Sequence, residues 1–242
     1  MDRLTSASLD WQRLIKKGLL WVFDYDGTLV PIIRNPYKSQ MRPRFFRFMQ
    51  KFVRKYPAAV LSGRELKNIA SRVKGLSFRY VVGNHGSEWK TKKMRAGRFA
   101  RATERARKIW EQIPHTQGIE LENKKLSLTI HYRNCADPSL ILRKLPSLFS
   151  DGYRLVGGKK CLNILPADAP SKGDAVRRMR KLSGLSRVIY FGDDETDEDV
   201  FGLESWLIGV RIGPIKRSQA RYTLQNSIEL EKLLRAVVSK DC

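Results

Sequence analysis

Asp24 and Asp26 stand one residue apart, just past the apolar run Leu19-Leu20-Trp21-Val22-Phe23. In an extended chain residues i and i+2 point to the same side, so both carboxylates can face one small site. Like charges this close repel unless a proton or a cation separates them. A magnesium ion fits, since it takes one or two carboxylates and leaves room for a phosphate. Three further groups have matching chemistry. Ser62-Gly63-Arg64 offers a hydroxyl and a guanidinium, Lys172 falls in a helical first turn, and Gly192-Asp193-Asp194 opens a run with six acids in seven residues. Lysine at a helix start opposes the dipole unless an anion shares the site. Together these parts suit phosphoryl transfer to an aspartate. One carboxylate attacks phosphorus, a metal neutralises charge, a second acid handles the leaving-group proton, and cationic or hydroxyl donors hold the equatorial oxygens.

Each group needs an element that ends beside the others. Leu19 to Phe23 has no polar interruption, which predicts a strand buried on both faces of a parallel sheet, and Gly27 permits a sharp turn beyond it. A helix over Ser8 to Lys17 precedes it, and Pro43 to Lys55 follows with Phe45, Phe48, Met49 and Phe52 as a core-facing stripe. The strand Ala58 to Leu61 ends in Ser62-Gly63-Arg64 before a helix from Glu65 to Val73, and the strand Tyr80 to Val82 ends in Gly83-Asn84-His85-Gly86. After Pro166, Ser171 with Asp174 forms a helix start that runs through Lys181. Arg187 to Phe191 is a buried strand ending at the acidic run, Trp206 to Ile212 a final strand, and Ser227 to Val238 a closing helix. This rhythm predicts a doubly wound α/β core, whose ligands gather at the carboxyl ends of the strands. Between Trp89 and Pro166 the rhythm breaks. Lys90 to Lys108, with nine basic residues and one acid, reads as an amphipathic helix with the stripe Phe99, Ala102, Ala106, Ile109 and Ile113. Strands over Ile119 to Glu122, Leu126 to Tyr132, Tyr153 to Val156 and Cys161 to Leu165, and a helix around Pro138 to Leu148, complete a small α+β insertion. The expected division is a core of residues 1–89 and 166–242 around an inserted domain of residues 90–165.

With 242 residues, 47 of them Lys or Arg against 24 Asp or Glu, the formal net charge is +23, and the molecule's field attracts anions. No stretch is long and apolar enough to span a bilayer, and the first 17 residues carry charges where a signal peptide needs an apolar run, so the expected compartment is the cytoplasm. Cys135, Cys161 and Cys242 are odd in number and lack metal-ligand spacing, as in a reducing compartment. His131 reads as packing in the inserted sheet and His115 as a surface histidine.

The motifs Asp24-Tyr25-Asp26-Gly27-Thr28-Leu29, Leu61-Ser62-Gly63-Arg64, Ser171-Lys172-Gly173 and Gly192-Asp193-Asp194 resemble the four motifs of the haloacid dehalogenase superfamily of phosphatases. Gly83-Asn84-His85-Gly86, the stretch from Glu122 to Ser127 leading to His131-Tyr132-Arg133, and Gly192 to Phe201 are similar to the trehalose-6-phosphate phosphatases. The resemblance implies a Rossmann-like core with a C2-type α+β cap. It implies Asp24 as the nucleophile, Asp26 as the acid and base, and Ser62 and Lys172 holding the phosphoryl group. Mg²⁺ would bind the Asp24 carboxylate, the Asp26 carbonyl and Asp193, with Asp194 and Asp197 as supporting or alternative ligands. Arg64, Asn84, His85 and Gly86 lie at core strand ends within reach of a sugar phosphate, and Glu122, Lys124 and Arg133 would bind the sugar from the cap. The partner implied is a small phosphorylated sugar, with a functional link to the sugar-phosphate glycosyltransferase that makes it.

One strand departs from the pattern. Where the family commonly has a glutamate and a basic residue, this chain has Asn163 and Leu165. Asparagine can still bond a hydroxyl and leucine cannot, so a phosphatase of another phosphorylated sugar or pseudo-disaccharide is the alternative. A nucleic-acid-binding protein would account for the charge, but no recognised nucleic-acid motif is present and the acidic run would repel a polyanion. A receiver-like domain phosphorylated on Asp24 needs neither Asp26 nor an inserted cap.

Overall fold

The computed structural model describes residues 2–5, 7–33, 38–90, 96–113, 116–158, 160–214 and 217–240, with the backbone alone at 96–98 and 240. His115, Cys242 and residues 91–95 of the basic run lie outside this set. The chain divides into two compact units, Met1–Lys90 with Ser171–Cys242, and Thr91–Pro170.

The first unit contains β1 (Asp2–Arg3), α1 (Trp11–Lys16), β2 (Leu19–Phe23), α2 (Pro43–Lys55), β3 (Ala58–Leu61), α3 (Leu66–Arg72), β4 (Tyr80–Gly83) and β5 (Glu88–Trp89). It resumes with α6 (Lys172–Ser183), β10 (Arg187–Gly192), α7 (Glu198–Phe201), β11 (Leu207–Ile212), β12 (Tyr222–Leu224) and α8 (Ser227–Lys240). Its strands form one sheet in the order β1-β12-β11-β10-β2-β3-β4-β5, parallel throughout except for the antiparallel β4–β5 pair. All five residues of β2 are buried, as parallel crossovers with helices on both faces require. Trp21 stacks between Trp11 and Phe191 at ring-centroid distances of 5.6 and 6.2 Å, and Phe23 stacks on Phe191 at 5.2 Å. In register, Phe23 pairs with Phe191 on one side and Val60 on the other. The next residues of these three central strands, Asp24, Asp193 and Ser62 among them, therefore leave the sheet along one edge.

The first helix is shorter than its pattern predicted. It starts at Trp11, because the Asp10 carboxylate accepts the Arg13 N–H at 3.0 Å and caps it there, while the Ser8 hydroxyl is held in a turn with Thr5. β1, β5 and β12, two or three residues each, have no counterpart in the sequence reading.

The second unit contains α4 (Ala96–Glu111), β6 (Glu120–Asn123), β7 (Leu128–His131), α5 (Ser139–Leu148), β8 (Tyr153–Gly158) and β9 (Cys161–Pro166). The four strands make an antiparallel sheet in the order β6-β7-β9-β8. Ala106, Trp110, Ile141 and Leu145 from the helices pack on Leu128, Ile130 and Ile164. Phe99 and Leu165 join a separate apolar cluster with Leu126 and Ala169. Among the described residues no helix is long and apolar enough to cross a membrane.

Candidate active site

β2 runs straight into a tight loop. Gly27 N–H donates to Val30 O at 2.7 Å, and the N–H groups of Leu29 and Val30 return to Tyr25 O at 3.0 and 3.1 Å. This fold-back leaves Asp24 buried at the strand mouth and Asp26 half-buried on the turn above it.

Lys172 reaches Asp24 from the start of α6. A capping box fixes that start, with Ser171 Oγ accepting the Asp174 N–H at 3.2 Å and Asp174 Oδ2 accepting the Ser171 N–H at 3.0 Å. The Lys172 ammonium, 3 % exposed, donates to Asp24 Oδ1 and Asp197 Oδ1, each at 2.7 Å. Asp197 also accepts from the Tyr190 hydroxyl at 2.6 Å, and its other oxygen takes the N–H groups of Asp193 and Asp194 at 2.8 and 2.9 Å. Burial pushes the Asp24 carboxyl well above its ordinary value; Lys172 pulls it back, and Asp197 and Asp193 push it further up. Burial opposes the charge on Asp197 as well, yet Lys172, the Tyr190 hydroxyl and the Asp194 N–H outweigh it and hold this carboxyl low. Burial would discharge Lys172, but Asp197 and Asp24 overcome that and keep it an ammonium. Burial and Asp197 together push Tyr190 well up, so it remains a hydroxyl donor. Tyr190 was read only as a strand residue; a hydroxyl inside an otherwise apolar strand was the available signal.

The ends of β3 and β4 interlock. Ser62 Oγ accepts the Arg64 N–H at 3.1 Å, the His85 N–H donates to Ser62 O at 3.1 Å, and the Asn84 N–H to Arg64 O at 2.7 Å. Asn84 and His85 both have positive φ, at 49° and 55°. The His85 ring lies against Gly63, and Gly86 lies against the Ser171 carbonyl, so this turn is a wedge between the Ser62 loop and the start of α6. Asn84 is fully buried within it. Arg64 is not directed to open solvent. Its guanidinium grips Asp26 with two bonds, Nε to Oδ2 at 2.6 Å and Nη2 to Oδ1 at 2.7 Å.

Asp24, Asp193 and Asp197 each offer a carboxylate oxygen within 4.8 Å of the others, a set of hard oxygen donors that fits a divalent metal ion. Asp197 already accepts four hydrogen bonds, which leaves Asp24 and Asp193 as the better pair. Asp194, expected among the ligands, caps the following turn with one oxygen: its Oδ1 accepts the Glu195 N–H at 2.9 Å. Gly27, at φ 83°, packs so closely on the Asp193 carboxylate that a Cβ there would occupy its space. Gly27→Ala is therefore expected to cost at least about 1–2 kcal/mol of stability from the left-handed backbone alone. An unchanged urea midpoint would contradict that.

In the second unit Glu122 Oε2 meets His131 Nε2 at 2.8 Å and Lys124 Nζ at 3.7 Å, and Arg133 is exposed in the turn after β7. Glu122, Thr129, Asn163 and Val156 form one cross-strand row. Asn163, expected to bond substrate, has its amide engaged within the sheet. Its Oδ1 accepts from Thr129 Oγ1 at 2.8 Å, its Nδ2 donates to Val156 O at 3.2 Å, and it is 3 % exposed. The amide pins the sheet together.

Comparison with known proteins gives this geometry a family. The trehalose-phosphatase family model matches residues 22–220. A probable trehalose-phosphate phosphatase D of Arabidopsis thaliana is 29% identical over 92% of this chain and 68% of its own length. A probable trehalose-phosphate phosphatase 3 of Oryza sativa subsp. japonica is 31% identical over 92% of this chain and 70% of its own length. The C-terminal domain of the C. albicans trehalose-6-phosphate phosphatase superposes with a TM-score of 0.80 over 98% of both chains at 22% identity, which shows the shared fold of core and cap. The chain that carries this lysine-bridged aspartate site belongs to the trehalose-phosphatase family.

Proposed function

We propose that this chain hydrolyses trehalose 6-phosphate to trehalose and inorganic phosphate through an aspartyl phosphate on Asp24. The observation that carries this reading is the buried Lys172 bridge, 2.7 Å from both Asp24 and Asp197. It sets an ammonium beside the attacking carboxylate, where phosphoryl charge will develop. Asp24 attacks phosphorus and the bond to the sugar oxygen breaks, with Asp26 giving that oxygen its proton. Asp26 then takes a proton from water, whose oxygen attacks the aspartyl phosphate; phosphate leaves and the Asp24 carboxylate returns. Ser62 and Lys172 hold the phosphoryl oxygens throughout. Arg64 holds both oxygens of Asp26, one bond to each, and orients the carboxylate while each oxygen keeps a second lone pair for the proton.

Asp24 and Asp193, with the Asp26 backbone carbonyl, would hold the metal, which we take to be Mg²⁺. When bound it supplies neutralisation of phosphoryl charge. Residues 1–89 and 166–242 serve as the catalytic core and residues 90–165 as the cap, with Glu122, Lys124 and Arg133 assigned to the sugar. The compartment is the cytoplasm. The substrate, a phosphorylated disaccharide, arises by glycosyl transfer to a sugar phosphate, so a glycosyltransferase precedes this enzyme.

The test is phosphate release with Mg²⁺ from a panel of sugar phosphates, where trehalose 6-phosphate is expected to turn over faster than glucose 6-phosphate. A clear win for another sugar phosphate overturns the specificity, and no release from any of them overturns the mechanism. The engaged amide of Asn163 and the apolar packing of Leu165 favour one second reading, a phosphatase of a related phosphorylated disaccharide.

A further inference from the structure

The loop that carries Asp193 is gripped from two sides. Its N–H groups at Asp193 and Asp194 donate to Asp197 Oδ2 at 2.8 and 2.9 Å. Its carbonyls accept from Arg211, with Nη2 to Asp193 O at 2.6 Å and Nη1 to Asp194 O at 2.9 Å. Arg211 Nη1 also donates to Glu198 Oε1 at 2.8 Å, and Glu198 Oε2 accepts from Ser218 Oγ at 3.1 Å and the Gln219 N–H at 2.9 Å. Arg211 is 4 % exposed, in a strand whose other residues are apolar or glycine, and its register partner in β10 is Gly192. Burying a guanidinium is costly, and its one ion-pair partner among the described residues, Glu198, lies outside the reacting groups. What the burial accomplishes is to seat a rigid planar donor under two consecutive peptide carbonyls. Both peptide N–H groups and both carbonyls of Asp193 and Asp194 are thereby held by two side chains of opposite charge.

We propose that Arg211 is a positioning residue for the metal site. It fixes the peptide planes of Asp193 and Asp194, and so aims the Asp193 carboxylate before an ion arrives. The proposal rests on Asp24 and Asp193 being the ion's carboxylates. The bonds of Arg211 go to the Asp193 and Asp194 carbonyls and to Glu198, so its loss is expected to weaken metal binding and leave recognition of the sugar phosphate alone.

The test compares the unsubstituted 242-residue chain with Arg211→Lys and Glu198→Gln. The second variant keeps Arg211 and removes the charge that anchors it, which covers the case where Arg211→Lys fails to fold. Mg²⁺ binding is measured by titration calorimetry without substrate, and KM for trehalose 6-phosphate at saturating Mg²⁺. Arg211→Lys is expected to raise the Mg²⁺ Kd by about 10–100-fold. Glu198→Gln should raise it less, in the same direction, and KM should stay at the native value in both. A folded Arg211→Lys with native Mg²⁺ affinity overturns the proposal, as does a rise in KM parallel to the rise in Kd. If Arg211→Lys does not fold, a native Kd in Glu198→Gln overturns it. A native chain that binds Mg²⁺ but releases no phosphate defeats the functional reading, while the calorimetry still decides the role of Arg211. A native chain that binds no Mg²⁺ defeats both.

Discussion

Asp24→Asn is expected to lower phosphate release by at least about 10⁴-fold while leaving the protein folded, because it keeps the shape of the side chain and removes the attacking carboxylate. The same change should raise the melting temperature of the metal-free protein at pH 8. Asp24 and Asp197 share the Lys172 ammonium with Asp193 beside them, and burial with the two neighbouring carboxylates holds the Asp24 carboxyl well above its ordinary value despite Lys172. A carboxyl with a raised native pKa favours the native state at low pH. That advantage is lost as pH rises from the unfolded value, about 4, through the native one. Asparagine carries no such liability and still accepts the Lys172 bond through its amide oxygen. The gain in melting temperature should therefore be largest at neutral and alkaline pH and vanish near pH 4. Mg²⁺, which neutralises the same excess charge, should stabilise the native protein more than the variant. Retained turnover in Asp24→Asn would place the nucleophile elsewhere, and a lower melting temperature at pH 8 would show that the site carries no surplus negative charge.

What the sequence made legible follows from how each feature is encoded. The central strand was readable because burial on both faces demands the unbroken run Leu19 to Phe23, and a local pattern suffices for that. Lys172 stood out because a lysine in a helical first turn opposes the dipole, and the structure supplies the anions that justify it. The short strands β1, β5 and β12 were not readable, since two or three residues carry no period. The grip of Arg64 on Asp26 was hidden for a different reason. It depends on β2 and β3 being neighbours in a parallel register, with Phe23 opposite Val60, and no local pattern specifies a partner strand. Asp197 was placed among alternative metal ligands because acids in a run look interchangeable. Only the geometry separates Asp193, directed at the site, from Asp194, turned to a cap, and from Asp197, saturated by Lys172, Tyr190 and two peptide N–H groups. The partners of Asn163 were hidden for the same reason: its type suits a sugar hydroxyl, and the antiparallel pairing of β7 with β9 brings Thr129 to it. Arg211 left one trace in the sequence, a lone cation in a strand of apolar residues and glycine.

Lys172→Met should abolish turnover and lower stability at pH 8 by about 3–5 kcal/mol, the usual cost of stripping one partner from a buried ion pair. The methionine fills most of the lysine's volume, so the loss reports charge rather than a cavity. In the native protein Lys172, aided by Tyr190 and the Asp194 N–H, overcomes burial and holds Asp197 low. A carboxyl with a depressed native pKa contributes stability that is present above its unfolded value and lost as pH falls through the native one. Without the ammonium that pull is gone, burial dominates, and Asp197 and Asp24 are both driven toward the protonated form. The variant then gains stability as pH falls from 8 toward about 4, where its carboxyls can take up protons. The native protein has less to gain over the same range, because its Asp197 stays ionised. The gap in unfolding free energy should accordingly be widest at pH 8 and narrow on acidification. Urea titrations of both proteins at pH 5 and pH 8 measure that gap directly. A gap of equal size at the two pH values would mean that Lys172 contributes packing alone and does not balance the charge of the aspartates it touches.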